Sequence, residues 1–142
     1  EHMEIFEKGF ERYISEDYIS CTSILYPRIE GLLRTFYRTG GYKGKPGAKN
    51  LSTAAITHYE KSRITQSLLL PTKFHDYLDK IYFANFAPGA KPDVGRHSVA
   101  HGEARAEDFN LKAATLAILT IYQLSLFMSD GQQSKINVEQ KT

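Results

Sequence analysis

The densest concentration of reactive side chains is Gly95-Arg96-His97-Ser98-Val99-Ala100-His101-Gly102. Arg96 and His101 stand five positions apart, about a turn and a half of helix, so one helix can direct both toward one pocket. A guanidinium is always charged and grips a phosphate through two parallel hydrogen bonds. An imidazole both takes and gives a proton near neutrality. Such a pair can cleave RNA without a metal, the ribose 2′-hydroxyl attacking its own phosphate. The spacing also has a plainer reading. Arg96 then pairs with a carboxylate such as Asp93, and His101 hydrogen-bonds a backbone carbonyl as the chain turns at Gly102.

Other chemistries find less support. The histidines fall at positions 2, 58, 75, 97 and 101. His97 and His101 can share a helical face, but no third ligand stands beside them to complete a zinc site. There is no GxSxG elbow, and Cys21 lies mid-helix among apolar residues, where a thiol behaves as a small hydrophobe. Gly44-Lys45 lacks both the following Ser/Thr and the GxxxxGK frame of a phosphate-binding loop. No cofactor is expected.

A second feature is electrostatic. Arg34, Arg38, Lys43, Lys45 and Lys49 fall within residues 34–49 with no acidic residue among them. Tyr37 and Tyr42 interleave, and an aromatic ring can stack a base. The plainer reading is a solubilising loop. Tyr59, Tyr77 and Tyr82 read as core or interface aromatics.

The elements that must position these residues are helical. Ile5, Phe6, Phe10, Tyr13 and Ile14 recur at spacings of three and four and predict an amphipathic first helix. Ser15 is a candidate N-cap for a second helix, with Glu16 and Asp17 in its first turn. That helix carries Ile24, Leu25, Ile29, Leu32, Leu33 and Phe36, should kink or split at Pro27, and ends at Gly40-Gly41. Residues 40–50 read as a mobile loop and 53–58 as a short helical turn. Residues 63–70 predict a third helix stopped by Pro71, and Thr72 caps a fourth with Phe74, Tyr77, Leu78, Ile81 and Tyr82 on one stripe. Pro88-Gly89 and Pro92 mark another loop. The longest helix spans 105–129, apolar over so much of its circumference that it suits a central position or one shared with a partner subunit. Asp130-Gly131 should end it. No segment alternates as a strand would, so the fold class is all-α, a bundle of four or five helices.

Composition agrees with one domain over 4–130, flanked by a 1–3 remnant of cloning type and a polar, disordered tail over 131–142. The chain is 42% hydrophobic and 24% charged, ordinary globular values. Eighteen basic against sixteen acidic residues give a net charge of +2, too small to announce a nucleic-acid binder by itself. One cysteine excludes an internal disulfide and fits a reducing compartment. No apolar run approaches the roughly 20 residues of a membrane helix, and no signal-peptide pattern opens the chain. A cytoplasmic location is expected.

Arg96-x-x-x-x-His101 resembles the signature motif of the HEPN superfamily, a group of helical nucleases and nucleotide-binding domains. The context sharpens the likeness. Arg96 to Glu103 is followed by Asp108-Phe109-Asn110 and an apolar helix containing Ile121-Tyr122-Gln123-Leu124, much as in C-terminal helical domains of bacterial members. Tyr26-Pro27-Arg28-Ile29-Glu30-Gly31-Leu32-Leu33-Arg34 is similar to their early helix, so the resemblance covers roughly residues 15–129. It implies a HEPN-like bundle, a homodimer with motifs meeting in a cleft, and metal-independent RNA cleavage in toxin–antitoxin or anti-phage settings. Carried onto this chain, Arg96 would polarise the scissile phosphate, His101 would be the acid/base residue, and His97 would assist. Glu30 would stand where some members place an acidic helper. Arg38, Lys43, Lys45 and Lys49 would then bind RNA. An antitoxin, or further domains of a larger protein, would be natural partners. Other members serve as non-catalytic modules for dimerisation, nucleotide binding or partner binding.

Overall fold

The computed structural model describes the backbone of residues 3–61, 70–84 and 95–139, with side chains apart from 58–61, 70–71, 97 and 128–139. Among the described residues the regular structure is helical and no strand occurs. None of these helices is long and apolar enough to cross a membrane.

Helix α1 (Met3–Ile14) closes on Ser15, whose hydroxyl donates to the Arg12 carbonyl at 3.1 Å. Ser15 therefore ends one helix and does not cap the next. The chain reverses through Glu16, held at φ 60°, and Asp17 caps α2 (Tyr18–Thr39) by accepting from the Ser20 amide at 3.1 Å. Those hydrogen bonds from Ser20 hold the Asp17 carboxyl below its ordinary range. Helix α2 runs unbroken through Pro27, without the expected split. Burial offers the reason, because Leu25, Ile29, Leu33 and Phe36 sit at helical spacing and are at most 2% exposed. Removing each such side chain from water contributes roughly 1.5–3 kcal/mol, against about 3 kcal/mol for an interior proline.

Helix α2 is the axis of the fold, flanked by α1, by α3 (Ala48–Lys61) and by α6 (Leu111–Glu139). The expected 40–50 loop is thus shorter, and the expected turn at 53–58 is a full helix. Its buried face is Leu51, Ser52, Ala54, Ala55 and Ile56, in which the small Ser52, Ala54 and Ala55 carry little hydrophobic signal while letting α2 come close. The 40–47 connection is anchored: Tyr42 stacks on Tyr37 at 5.0 Å, and the Tyr37 hydroxyl donates to the Lys43 carbonyl at 3.0 Å.

Helix α4 (Leu70–Tyr77) takes Pro71 into its first turn, where a missing amide costs little, so Pro71 opens this helix and Thr72 lies inside it. It continues into a π-turn over Leu78–Tyr82, closed by the Phe83 amide on the Leu78 carbonyl at 2.8 Å. Leu78 and Tyr82 are fully buried, as their stripe predicted. The helix expected at 63–70 and the loop at 88–92 lie outside the described residues, apart from Leu70.

Helix α5 (Arg96–Ala100) and a 3-10 turn (Ala106–Asp108) precede α6. The last helix starts at Leu111, later than expected, because Asp108 accepts from the Arg105 amide at 2.9 Å and Asn110 caps the Ala113 amide at 3.1 Å. It also runs through Gly131 to Glu139, so residues 131–139 continue a helix and do not form a loose tail. Extending an existing helix needs no new nucleus, which outweighs the roughly 1 kcal/mol cost of one interior glycine. Ala113, Ala117, Leu124 and Phe127 face the core, and Phe127 meets Phe74 edge-on at 5.6 Å. Leu111, Leu119, Tyr122 and Leu126 are exposed.

Candidate functional site

The turn carrying Arg96 is fixed from below. Gly95 is buried, and a Cβ there would stand 2.7 Å from the Ile81 carbonyl oxygen, so α5 docks directly on the π-turn. Ser98, only 4% exposed, clasps this start: its hydroxyl donates to the Gly95 carbonyl at 3.0 Å and takes the Gly95 amide at 3.0 Å. Val99 packs on the core, and Gly102, at φ 69°, turns the chain away. Glu103 and Ala104 then return their amides to the Ser98 carbonyl at 2.9 and 3.0 Å.

Arg96 projects from this clasp onto Glu30 of α2, its Nε donating to Oε2. The other carboxylate oxygen of Glu30, Oε1, is taken by Arg34, which donates from Nε at 2.9 Å and Nη2 at 2.6 Å. Glu30 is thus a bridge between two guanidiniums, and the three groups sum to one positive charge. Its side chain is 14% exposed, while those of Arg34 and Arg96 are 40% and 32% exposed. The mostly buried carboxylate holds two guanidiniums that are themselves part-exposed to solvent.

Beneath Glu30 lies Tyr82, whose hydroxyl donates to the Tyr26 carbonyl at 2.8 Å. Burial, then the nearby Glu30 carboxylate, pushes the Tyr82 phenol well above its ordinary value. It therefore stays protonated and keeps donating.

Several sequence candidates converge here and others do not. Arg96 and Glu30, 66 positions apart, meet directly. Asp93, the alternative carboxylate for Arg96, lies outside the described residues. His101 is exposed, one residue beyond the C-terminal end of α5. The backbone of His97 is in α5, and its side chain lies outside the described residues. Arg38, Lys43, Lys45 and Lys49 are all exposed; Lys49 belongs to the first turn of α3 and not to the loop. Ser98 and Tyr82 are members of the site to which sequence reasoning gave no such role, and Arg34, placed by the sequence only in the basic 34–49 cluster, joins them through Glu30. Of these only Arg34 left a local signal, a cation four residues beyond Glu30 on a helix.

Among the described residues, no three His, Cys, Asp or Glu side chains gather as a metal-ligand set. Comparisons with protein-family models, with curated proteins and with solved structures give no match to this chain.

Proposed function

We propose that this chain is a HEPN-like, metal-independent endoribonuclease that works as a homodimer. The observation that carries the reading is the seating of Arg96. Its guanidinium is held by a mostly buried carboxylate at the head of α5, with exposed His101 just past the other end of that short helix. In the proposed reaction Arg96 grips the non-bridging phosphate oxygens and stabilises the charge that develops on them. His101 takes the proton of the 2′-hydroxyl, whose oxygen bonds to phosphorus as the bond to the 5′ oxygen breaks. The leaving oxygen receives a proton from His97 or from the motif of the second copy. The products are a 2′,3′-cyclic phosphate and a 5′-hydroxyl. Arg38, Lys43, Lys45 and Lys49 guide the strand, and the exposed apolar side chains of α6 supply the dimer face. A cytoplasmic toxin–antitoxin or anti-phage setting, with an antitoxin or fused domains as partners, suits such an activity.

The direct test incubates RNA with wild type, His101→Ala, Arg96→Ala and Arg96→Lys, each with and without EDTA, and identifies the product ends. Cleavage should persist in EDTA and leave cyclic phosphate. His101→Ala and Arg96→Ala should each slow it by about 10²–10⁴-fold. Arg96→Lys should rescue little, because an ammonium cannot reproduce a two-point grip. Cleavage that survives His101→Ala would overturn the reading. The pairing of Arg96 with Glu30 also suits a second reading, a non-catalytic HEPN module in which this ion pair only braces α5. Wild type that binds RNA or a nucleotide without cutting it would select that reading.

A further inference from the structure

The cation on the far side of the bridge has its own consequence. Arg34 spends Nε and Nη2 on a single oxygen of Glu30, and its side chain is the more exposed of the two guanidiniums. Glu30, Arg34 and Arg38 follow one another at steps of four on α2, about 6 Å apart along the axis for each step. Beyond Arg38 the helix ends at Thr39, and the lysine-bearing 40–47 connection begins. Arg96 and Arg34 thus meet on one carboxylate, and Arg38 lies one turn further along α2, toward the connection that carries Lys43 and Lys45. Among the described residues, Arg96 and Arg34 share the Glu30 carboxylate, one negative charge between two guanidiniums.

We infer that Arg34 is a phosphate-contacting residue. It would hold the phosphodiester next to the one gripped by Arg96 and set the direction in which a single strand lies along α2. The inference rests on the reading that Arg96 meets phosphate. It adds that Glu30 orients two anion-binding groups, not one. The two donors that Arg34 places on one oxygen fix its guanidinium plane, so it presents its outer edge at a set angle, while the second oxygen anchors Arg96 through Nε.

The test uses a short single-stranded RNA methylated at every 2′-oxygen, which can bind but cannot be cut. Affinity is measured at several salt concentrations for wild type, Arg34→Ala, Arg34→Gln, Arg34→Lys and a control, Lys112→Ala, on a different element. A lost phosphate contact on a single strand lowers the slope of log affinity against log salt by about 0.7. Arg34→Ala and Arg34→Gln should each show that drop with severalfold weaker binding, Arg34→Lys should keep the slope, and Lys112→Ala should match wild type. A helical far-UV spectrum guards against misfolding, and either neutral variant suffices. Arg34→Ala and Arg34→Gln with the wild-type slope would overturn the inference, whether or not unmodified RNA is cut. A drop in slope with no cleavage of unmodified RNA by wild type would keep the inference and overturn the ribonuclease reading. Wild type that fails to bind the methylated strand would overturn both.

Discussion

Tyr82 hydrogen-bonds the backbone of Tyr26 at 2.8 Å, their rings 5.8 Å apart. In a helix that carbonyl already accepts the amide of residue 30, so the phenol is a second donor on the turn that presents Glu30. The deepest hydroxyl at the site supports the backbone under the carboxylate and leaves the carboxylate to the arginines.

Tyr82→Phe removes this bond without leaving the carbonyl unpaired. It should lower stability by about 1 kcal/mol, the usual net worth of one hydrogen bond. Urea unfolding should show a lower midpoint with an unchanged slope.

Two glycines should respond in opposite senses. Gly95→Ala places a methyl 2.7 Å from the Ile81 carbonyl oxygen, and backbone cannot yield as a side chain can. A loss of about 1–3 kcal/mol is expected. If cleavage depends on the pose of α5, it should fall by about 10²-fold as well. Gly31→Ala, inside α2 with nothing within 4 Å of the added carbon, should stabilise by roughly 0.5–1 kcal/mol. Thermal unfolding of both variants checks the contrast.

Alkali should weaken the fold through Cys21. Burial pushes this fully enclosed thiol up to about 11, whereas an unfolded thiol titrates at about 8.5. Its protonated form is common to both states below the lower value. Stability therefore falls as pH rises between the two, because the unfolded chain releases a proton that the folded chain retains. Denaturation midpoints should decline across this window for wild type and less so for Cys21→Ala. A thiol reagent at pH 8 should modify Cys21 no faster than the protein unfolds.

The exposed stripe Leu111, Leu119, Tyr122 and Leu126 should carry the proposed dimer. Leu119→Glu combined with Tyr122→Lys should halve the mass seen by light scattering and leave the helical spectrum intact. Cleavage should be lost with the dimer if the two motifs act together. A wild-type monomer at micromolar concentration would count against the assembly.

How much was legible follows from where each signal resides. The α2 core, Leu25, Ile29, Leu33 and Phe36, is written in local spacing, and so is the stripe of Phe74, Leu78 and Tyr82. The cap of α2 was not, because Ser15, Glu16 and Asp17 offer adjacent polar candidates and the left-handed turn at Glu16 decides between them. Helix α3 was hidden by its own good fit: Ser52, Ala54 and Ala55 are buried through smallness, which no apolar period reveals. At the site, Arg96 and His101 could be singled out by type. The bridge on Glu30 needed tertiary contact, since no local rule joins positions 66 apart.

The π-turn over Leu78–Tyr82 bears on how this chain can be compared with others. A turn of this kind holds one residue more than an α-turn, and one residue of α-helix corresponds to about 100° of rotation. A related chain without that extra residue would match α4 smoothly, then present a neighbouring side chain where Tyr82 points inward. An alignment that confines gaps to loops would place the offset after Phe83, where the helix closes, and pair Tyr82 with the wrong residue. For a chain that lacks the extra residue, a one-position gap placed between 78 and 82 restores the pairing of Tyr82.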